Sequence, residues 1–417
     1  MQFPITQRGI IFKIEYAEKL MGFTEESKIQ PIPIPKFKMN EVKISSELKA
    51  IFLTTTKIPD HHLWANGLFQ NVFVIYTMLE ACGYQPFLFV DSVKNNPNSE
   101  LHKLIRVIDM ETYMKSPFRL YGYIELGMSC DQTIRSAFRS IGAKVVKVYL
   151  GNILNIDIET PMFYHEMNFS HHVIGGLDEI WTSPHYWQHR DFAGCINRIM
   201  LKTRICPYVW DSRFISPNHN IYQHRTSPPY SFTVMEPNIS FQKNSLFPIM
   251  ICEALYKRAP HLLQDCVVIN GDKLKANPFF AQNILENLEI HKAGKLHLLP
   301  RADVITVSKH LNNHIILQHT VNNEYNYSFL EHMWMGFPIL HNFSCFKDYA
   351  YYYEENNLDS ALNALDDLFV NHIIRQEMHR SQARELEWRF SPYNPENQKA
   401  WLDLLNAAIP LKSAEKV

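Results

Sequence analysis

The segment HIILQHTVNNEYNYSFLEHMWMGFPILHN (314–342) decides the fold. Its first apolar run, 314–320, predicts a strand that ends near His319, and the Asn-rich stretch after it predicts a loop. The pattern of 327–336 predicts a helix, which Gly336 ends before a second apolar strand at 337–342. Strand, loop, helix and strand at this spacing form a βαβ unit, and such units build a parallel sheet.

The same alternation extends on both sides of this segment. Before residue 212 it predicts helices at 67–83 and 130–142 and strands at 50–56, 85–91, 121–127, 143–151, 177–183 and 204–210. After residue 229 it predicts strands at 230–238, 266–271, 295–301, 314–320 and 337–342. The helices of the second half are predicted at 244–258, 277–288, 327–336, 358–390 and 396–409. We therefore expect an α/β protein with two Rossmann-like, doubly wound domains.

Breaks in this alternation predict the domain boundaries. The Pro-punctuated IQPIPIPKFK (29–38) cannot form a helix, so residues 1–48 are expected to be an N-terminal extension. The first domain is predicted at 49–212 and the second at 230–390. The polar, Pro-containing stretch 213–229 reads as a linker, and 391–417 reads as a C-terminal helix and tail.

Composition excludes several classes of protein. The 417 residues carry 41 Lys and Arg against 42 Asp and Glu, and a net charge of −1 argues against broad electrostatic capture of nucleic acid. Seven scattered cysteines without a CxxC pair argue against a disulfide scaffold or a thiolate zinc site. The chain opens without a signal-peptide pattern, and its most apolar window is interrupted by charged and polar residues. We expect a cytoplasmic protein with no transmembrane segment.

The loop and helix after the 314–320 strand combine features of a ligand site. Asn326 is a candidate N-cap, and the free backbone amides of a helix start attract anions. Glu331 lies four residues after Tyr327 and three after Ser328, so the three side chains share one helix face. A carboxylate on that face can accept both hydroxyls of a ribose while the helix start, residues 326–328, holds a diphosphate.

Glu331 followed by Met335-Gly336-Phe337-Pro338 resembles the donor-binding motif of group 1 glycosyltransferases of the GT-B fold. That motif has two Glu eight residues apart, then a small residue, Gly, any residue and Pro. Here Asn323 stands in the place of the first Glu and Glu324 is one place off, so the motif does not assign retention or inversion.

A second resemblance runs along the chain from residue 50. It is similar to a little-characterised group of bacterial and phage GT-B-like proteins. The segments that carry the similarity are WANGLFQN (64–71), YIELG (123–127), KVVKVYLGN (144–152), LDEIWTSP (177–184), ICPYVWD (205–211) and MEPN (235–238).

The resemblance implies transfer of a sugar from a nucleotide-diphosphate sugar to an acceptor hydroxyl. The two domains would face each other across a cleft, and the last helix would pack back on the first domain. The donor would be a co-substrate, with no other cofactor. The acceptor class stays open between a glycan, a lipid-linked, a protein and a modified nucleic-acid hydroxyl, and the near-zero charge does not favour nucleic acid. A nucleotide-sugar epimerase and a non-catalytic sugar-nucleotide or glycan-binding protein are the alternatives.

The second domain would then hold the donor. Lys243, in the loop after the first strand of that domain, matches the basic residue that meets the diphosphate in GT-B enzymes. The full set of predicted donor-binding residues is Asn238, Lys243, His319, Asn326, Tyr327, Ser328, Glu331 and Asn342.

The first domain would hold the acceptor and the base that accepts its proton. Gly67, Asn71 and Asn152 lie in loops or at strand ends that are expected to face the acceptor. Catalytic candidates, because a base must accept the hydroxyl proton, are Glu125, His165 and Glu166. The stretch HEMNFSHH (165–172) lacks the HExxH spacing, and no metal is expected.

Overall fold

The computed structural model describes residues 49–54, 67–90, 105–126, 132–163, 172–215, 218–238 and 240–410. They form two compact units. Unit 1 contains the described residues up to Val209 together with those from Ser391 onward, and unit 2 is Trp210–Phe390. Each unit has a sheet with helices, and every described strand pairing is parallel. The expected α/β class is confirmed.

Unit 1 has a seven-stranded sheet with the order β3-β2-β1-β4-β5-β6-β7. The strands are β1 Ala50–Thr54, β2 Gln85–Phe89, β3 Val107–Ile108, β4 Leu120–Leu126, β5 Lys144–Tyr149, β6 Glu179–Thr182 and β7 Thr203–Ile205. The helices are α1 Gly67–Ala81, α2 Met110–Lys115, α3 Gln132–Ser140, α4 Ile153–Phe163 and α5 His189–Ile196, and the C-terminal α13, Pro395–Ala408, belongs to the same unit.

Unit 2 has a six-stranded sheet with the order β10-β9-β8-β11-β12-β13. The strands are β8 Tyr230–Val234, β9 Leu263–Ile269, β10 Leu296–Leu299, β11 Ile315–Gln318, β12 Ile339–His341 and β13 Tyr351–Tyr352. The helices are α6 Leu246–Arg258, α7 Asp272–Lys275, α8 Glu289–Lys292, α9 Val304–His310, α10 Tyr327–Trp334, α11 Leu358–Asn371 and α12 Gln376–Phe390.

Burial of the apolar strands organises both units. All four residues of β11 and all three of β12 are buried, as a parallel sheet covered on both faces requires. In unit 1 the Phe52 ring stacks on Phe89, with the centroids 5.4 Å apart, and meets the edge of Phe138 from α3. Helix α1 is followed by Gly83, whose φ of +80° is the left-handed conformation that glycine favours at a helix C-terminus.

Some predicted elements differ from the structure. The helix predicted at 277–288 contains a π-helical turn, Phe280–Ile284, and a 3₁₀ turn, Leu285–Asn287. The helical stretch 358–390 is divided into α11 and α12. The strand predicted at 204–210 is only Thr203–Ile205. The sequence analysis also missed β3, α2, α4, α5, α7, α8 and β13.

Helix α13 packs inside unit 1. Its Trp401 ring meets Trp181 of β6 edge to face, with the centroids 5.9 Å apart. Ile409, just after the helix, lies so close to Gly122 of β4 that a Cβ at Gly122 would be 2.5 Å from Ile409 Cδ1. Gly122 is therefore needed for this close approach, and the end of the chain completes the core of the first sheet.

No described helix has the length and apolar character that crossing a bilayer requires.

Trp401→Ala is expected to lower the free energy of unfolding of unit 1 by about 3–5 kcal/mol, because it removes a fully buried indole and leaves a cavity. Urea denaturation followed by far-UV circular dichroism measures the change. The control is Trp187→Ala in the same unit, whose side chain is 60% exposed. Equal stability losses in the two variants would contradict this account of α13.

Candidate ligand site at the carboxyl edge of the second sheet

The strand order of each sheet reverses at one point. In unit 2 the reversal lies between β8 and β11, which are neighbours in the sheet although β9 and β10 come between them in sequence. In open α/β sheets, ligands bind outside the carboxyl ends of the strands at such a point. The residues that follow β8 and β11 there are Met235, Glu236, His319 and Thr320.

Glu236 lies at this reversal and is 2% exposed. Burial raises the pKa of its carboxyl group to about 7, although the nearby Lys243 and a hydrogen bond from the His319 backbone amide act in the opposite direction. The sequence analysis missed Glu236, because a single Glu after a strand has no spacing that marks it.

Lys243 lies seven residues later in the same loop, as predicted from the sequence. Burial lowers the pKa of its ammonium group, and the Glu236 carboxylate raises it again. The two side chains are therefore electrostatically coupled within a poorly solvated site. Such an environment strengthens the interaction of either group with a third charge.

Asn238 holds this loop in shape. Its backbone has a φ of +53°, which asparagine tolerates better than most residues. Its Oδ1 accepts from the Ser245 amide at 2.8 Å, and its Nδ2 donates to the Glu236 and Asn270 carbonyls at 3.1 and 3.2 Å. The side-chain amide thus connects both ends of the loop to the adjacent strand end.

The loop leads into helix α6, whose N-cap residue is Ser245. Ser245 Oγ makes no capping hydrogen bond to the helix. Three buried polar atoms here, Ser245 Oγ, Gln242 Nε2 and Thr320 Oγ1, have no hydrogen-bond partner among the described residues. The Val321 amide donates to the Gln242 carbonyl at 2.9 Å, so the two loops are joined. Hydroxyl and amide donors at a helix N-terminus form a site suited to an anion.

Helix α10 carries the residues predicted from the sequence motif. Asn326 caps it, because its Oδ1 accepts from the Ser328 amide at 3.1 Å. Ser328 Oγ accepts from Gln318 Nε2 at 2.9 Å, which ties the helix to the end of β11. Tyr327 and Glu331 are both buried. Their contacts with a ribose stay a prediction.

His319 and Asn342 make structural contacts at this edge. Asn342 bonds the backbone of Thr320 twice, accepting from its amide at 3.0 Å and donating to its carbonyl at 2.8 Å. His319 Nδ1 lies 2.9 Å from the Tyr353 hydroxyl, and burial lowers the pKa of the imidazole to about 4. A neutral imidazole and an amide with both ends bonded stabilise the strand ends.

Glu324, one place from the family position of the first motif Glu, has a structural role. Its carboxylate accepts from Ser344 Oγ at 2.6 Å and from the Cys345 amide at 3.2 Å. These bonds cap the 3₁₀ turn Ser344–Phe346. Glu324 therefore does not replace the missing motif Glu in this arrangement.

Glu125 in unit 1 is completely buried in β4. Its carboxylate lies 3.0 Å from Arg135 of α3 and 3.8 Å from Lys147 of β5. Both cations therefore hold this carboxylate inside the first sheet, away from solvent. These contacts give Glu125 a structural role, and its role as a base stays a prediction.

The other site residues predicted in the first domain lie near the starts of helices or outside the described residues. Gly67 begins α1 and accepts from Asn71 Nδ2 at 2.6 Å, and Asn152 Oδ1 accepts from the Asn155 amide at 3.2 Å at the start of α4. His165 and Glu166 lie outside the described residues.

Unit 1 also contains an imidazole–carboxylate pair, His172 and Asp157, which are close in sequence to His165 and Glu166. His172 Nδ1 lies 2.8 Å from Asp157 Oδ1 of α4. The carboxylate fixes the orientation of the ring, an arrangement that also suits a general base. The sequence analysis did not select this pair, because the partner lies 15 residues away on a helix.

No group of three or more His, Cys, Asp or Glu side chains in the described part of the chain could hold a metal ion. That the site needs no metal stays a prediction.

Comparison with known proteins places the chain in a family. The family described as "Protein of unknown function (DUF2827)" matches residues 51–405. The chain belongs to this family. No curated protein matches the sequence.

Solved structures share the fold of this family member at low sequence identity. Trehalose-6-phosphate synthase from E. coli, bound with UDP-2-fluoro glucose, is 10% identical with a TM-score of 0.54, over 85% of this chain and 98% of that one. Anabaena Alr3699/HepE in complex with UDP is 11% identical with a TM-score of 0.51, over 86% and 100%. These likenesses confirm the expected GT-B glycosyltransferase-like fold.

The pneumococcal O-GlcNAc transferase GtfA is a longer protein. The match covers 69% of this chain but only 56% of that chain, at 13% identity and a TM-score of 0.44.

Arg135→Met is expected to lower the free energy of unfolding by about 3–5 kcal/mol, because it leaves the Glu125 carboxylate buried with one cation fewer. The matched control is Arg139→Met on the same helix, whose side chain is 47% exposed in its ion pair with Asp178. That change should stay within about 1 kcal/mol. Urea denaturation measures both, and a small effect of Arg135→Met would remove the structural role assigned to Glu125.

The free energy of unfolding is also expected to fall as the pH decreases from about 6.5 towards 4. Burial holds the pKa of five unit 2 imidazoles at about 4, or about 3 for His372, so the unfolded chain binds protons that the native state does not. Stability present above pH 6.5 is therefore lost through this window. The five residues are His319, His332, His341, His372 and His379.

Urea midpoints between pH 7 and 4.5 measure this dependence. His332→Asn should reduce the slope by about one proton near pH 5, whereas the exposed His261→Asn should leave the slope unchanged. A midpoint that is constant over this range would show that the imidazoles are not buried as described.

Proposed function

We propose that this protein transfers a glycosyl unit from a nucleotide-diphosphate sugar to an acceptor hydroxyl. The observation that carries the proposal is the partly buried loop with Lys243 at the strand reversal of unit 2, where the N-terminus of α6 and several polar donors meet. A GT-B-like fold supplies the context for this reading, since solved structures of that fold bind UDP or a UDP-sugar analogue.

A diphosphate fits the chemistry of this loop. Lys243 supplies a cation, and Ser245 Oγ and Gln242 Nε2 are buried donors without a partner among the described residues. The positive end of the α6 dipole adds to their field. Together these groups would stabilise the charge that grows on the leaving diphosphate as the bond to the sugar breaks.

The other donor contacts follow from the motif resemblance. Glu331 would accept the ribose hydroxyls, with Tyr327 on the same helix face, and the 326–328 turn would contact the diphosphate. Asn238 and Asn342 would act by holding the loops, since their side-chain amides already bond the backbone. The nucleotide-diphosphate sugar is a co-substrate, and the proposal requires no further cofactor or metal.

The reaction needs a base in unit 1. The acceptor oxygen bonds to the anomeric carbon, the bond from that carbon to the diphosphate oxygen breaks, and the hydroxyl proton passes to the base. His165 and Glu166 are candidates from the sequence, and His172, oriented by Asp157, is a candidate from the structure. The acceptor would be a glycan, lipid-linked or protein hydroxyl, with a modified nucleic-acid base less favoured by the charge.

Thermal unfolding with UDP-, GDP-, ADP- and dTDP-sugars tests donor binding. At about 100 times the dissociation constant, a donor adds about 2.7 kcal/mol of stability, which raises the melting temperature by several degrees. Mass spectrometry of the bound donor then separates the alternatives: transfer or slow hydrolysis releases the nucleoside diphosphate, an epimerase converts the sugar without an acceptor, and a binding protein leaves the donor intact.

Lys243→Ala should weaken donor binding about 10- to 100-fold, because a charge-assisted contact contributes about 1.5–3 kcal/mol. Lys292→Ala, an exposed lysine of the same unit, is the control and should bind as the native protein does. Calorimetric titration of both variants measures the affinities. Equal affinities would move the diphosphate away from Lys243, and no binding of any donor to the native protein would refute the proposed function.

A further inference from the structure

Leu201 is the most exposed large apolar side chain among the described residues, with 99% of its surface accessible. Met200 is 56% exposed, and the two residues form the tip of a 3₁₀ turn, Met200–Lys202, between helix α5 and strand β7. A leucine that stays in water on folding adds nothing to the core of unit 1. Neighbouring apolar side chains that stay exposed together mark an interaction surface.

Backbone contacts hold this turn on α5. A Cβ at Gly194 of α5 would lie 2.8 Å from Met200 Cα, so glycine is needed for the close approach. The Ile199 amide donates to the Gly194 carbonyl at 2.9 Å, and Thr203 Oγ1 donates to the Met200 carbonyl at 3.0 Å. The apolar tip is therefore fixed in place before any partner binds, which lowers the cost of ordering it.

Two cations flank the tip. Arg198 and Lys202 are both exposed, and neither forms an ion pair with a carboxylate in the described part of the chain. Asp191, the one carboxylate in the sequence between 189 and 205, is paired with Arg190. The turn therefore combines an apolar tip with surplus positive charge.

Helix α4 adds apolar surface on the same side of the first sheet. It packs against α5, and both helices are crossovers that lead back to the amino edge of the sheet. Ile158 and Met162, four residues apart on one face of α4, are 45% and 59% exposed. The 198–202 turn lies at this amino edge because β7 begins directly after it. The carboxyl edge, where ligands of such sheets bind, is left open.

We propose that unit 1 docks reversibly on an anionic lipid surface through the 198–202 turn. Leu201 and Met200 would enter the boundary of the acyl chains, and Arg198 and Lys202 would contact lipid phosphates. Apolar side chains bordered by cations are the composition that attaches a protein to such a surface. A second copy of the chain is the less suitable occupant, because a two-fold contact through this turn would bring the cations of both copies together.

Unit 2 supplies a matched patch without surplus charge. Ile374 is 82% exposed and Val370 is 72% exposed, but the neighbouring Arg375 is paired with Asp367. The two patches are therefore similar in exposed apolar surface and differ in unpaired cations. If charge selects the lipid surface, substitution of Ile374 should not affect docking.

The experiment is co-sedimentation of the full chain, at low salt, with vesicles of phosphatidylcholine alone or with about a third phosphatidylserine. The native protein should bind the anionic vesicles at least about tenfold more tightly, because each cation contributes a factor of about five there. Leu201→Ser should weaken this binding at least about tenfold, since its side chain no longer leaves water. Ile374→Ser, the control, should bind as the native protein does.

The double variant Arg198→Gln with Lys202→Gln tests the charges separately. It keeps the apolar tip and should lose the preference for anionic vesicles, as the native protein should at about 0.5 M salt. If Leu201→Ser does not fold, this variant decides.

Each contrary result overturns the proposal. Such results are no binding of the native protein to anionic vesicles, equal binding by the native protein and Leu201→Ser, or an unchanged preference in the double variant. A dimer that light scattering detects and Leu201→Ser dissociates, without vesicle binding, would make a second copy the occupant instead. The proposed glycosyl transfer does not depend on any of these outcomes, because its donor site lies in unit 2.

Discussion

Between β8 and β11 the strand order reverses, so the loops that follow these neighbouring strands lead to opposite sides of the sheet. The arrangement of the polar groups at this edge of unit 2 depends on the reversal. It places Glu236 and His319 side by side at the edge, within reach of a backbone hydrogen bond. It also sets the start of α6 beside the loop after β11, where the Val321 amide donates to Gln242.

Side-chain amides provide much of the support at this edge. Asn238 connects the loop after β8 to β9, Asn326 begins α10, and Asn342 joins the ends of β11 and β12. An amide offers a donor and an acceptor without charge, so it can satisfy two backbone groups and leave the field of Lys243 unchanged. The asparagines that the sequence associates with a ligand therefore hold the loops at this edge in place.

The sequence predicts the architecture well because long apolar strands and periodic helices leave strong patterns, as in 314–342. It misses β3 and β13, since two residues give no period to detect. Glu125 illustrates the limit for the site, because the sequence does not show that Arg135 and Lys147 lie against its carboxylate. Glu236 is missed for the same reason, because its character comes from burial and from Lys243.

The chain completes unit 1 only after it has built unit 2. Helix α13 and Ile409 cover β4 and β6, yet they follow Phe390 in the chain. During synthesis, Trp181 and the surface at Gly122 therefore stay uncovered until residues 395–409 have left the ribosome. Domains generally fold in order from the N-terminus as they are made. Unit 1 departs from this order, because residues that are made after unit 2 complete its core.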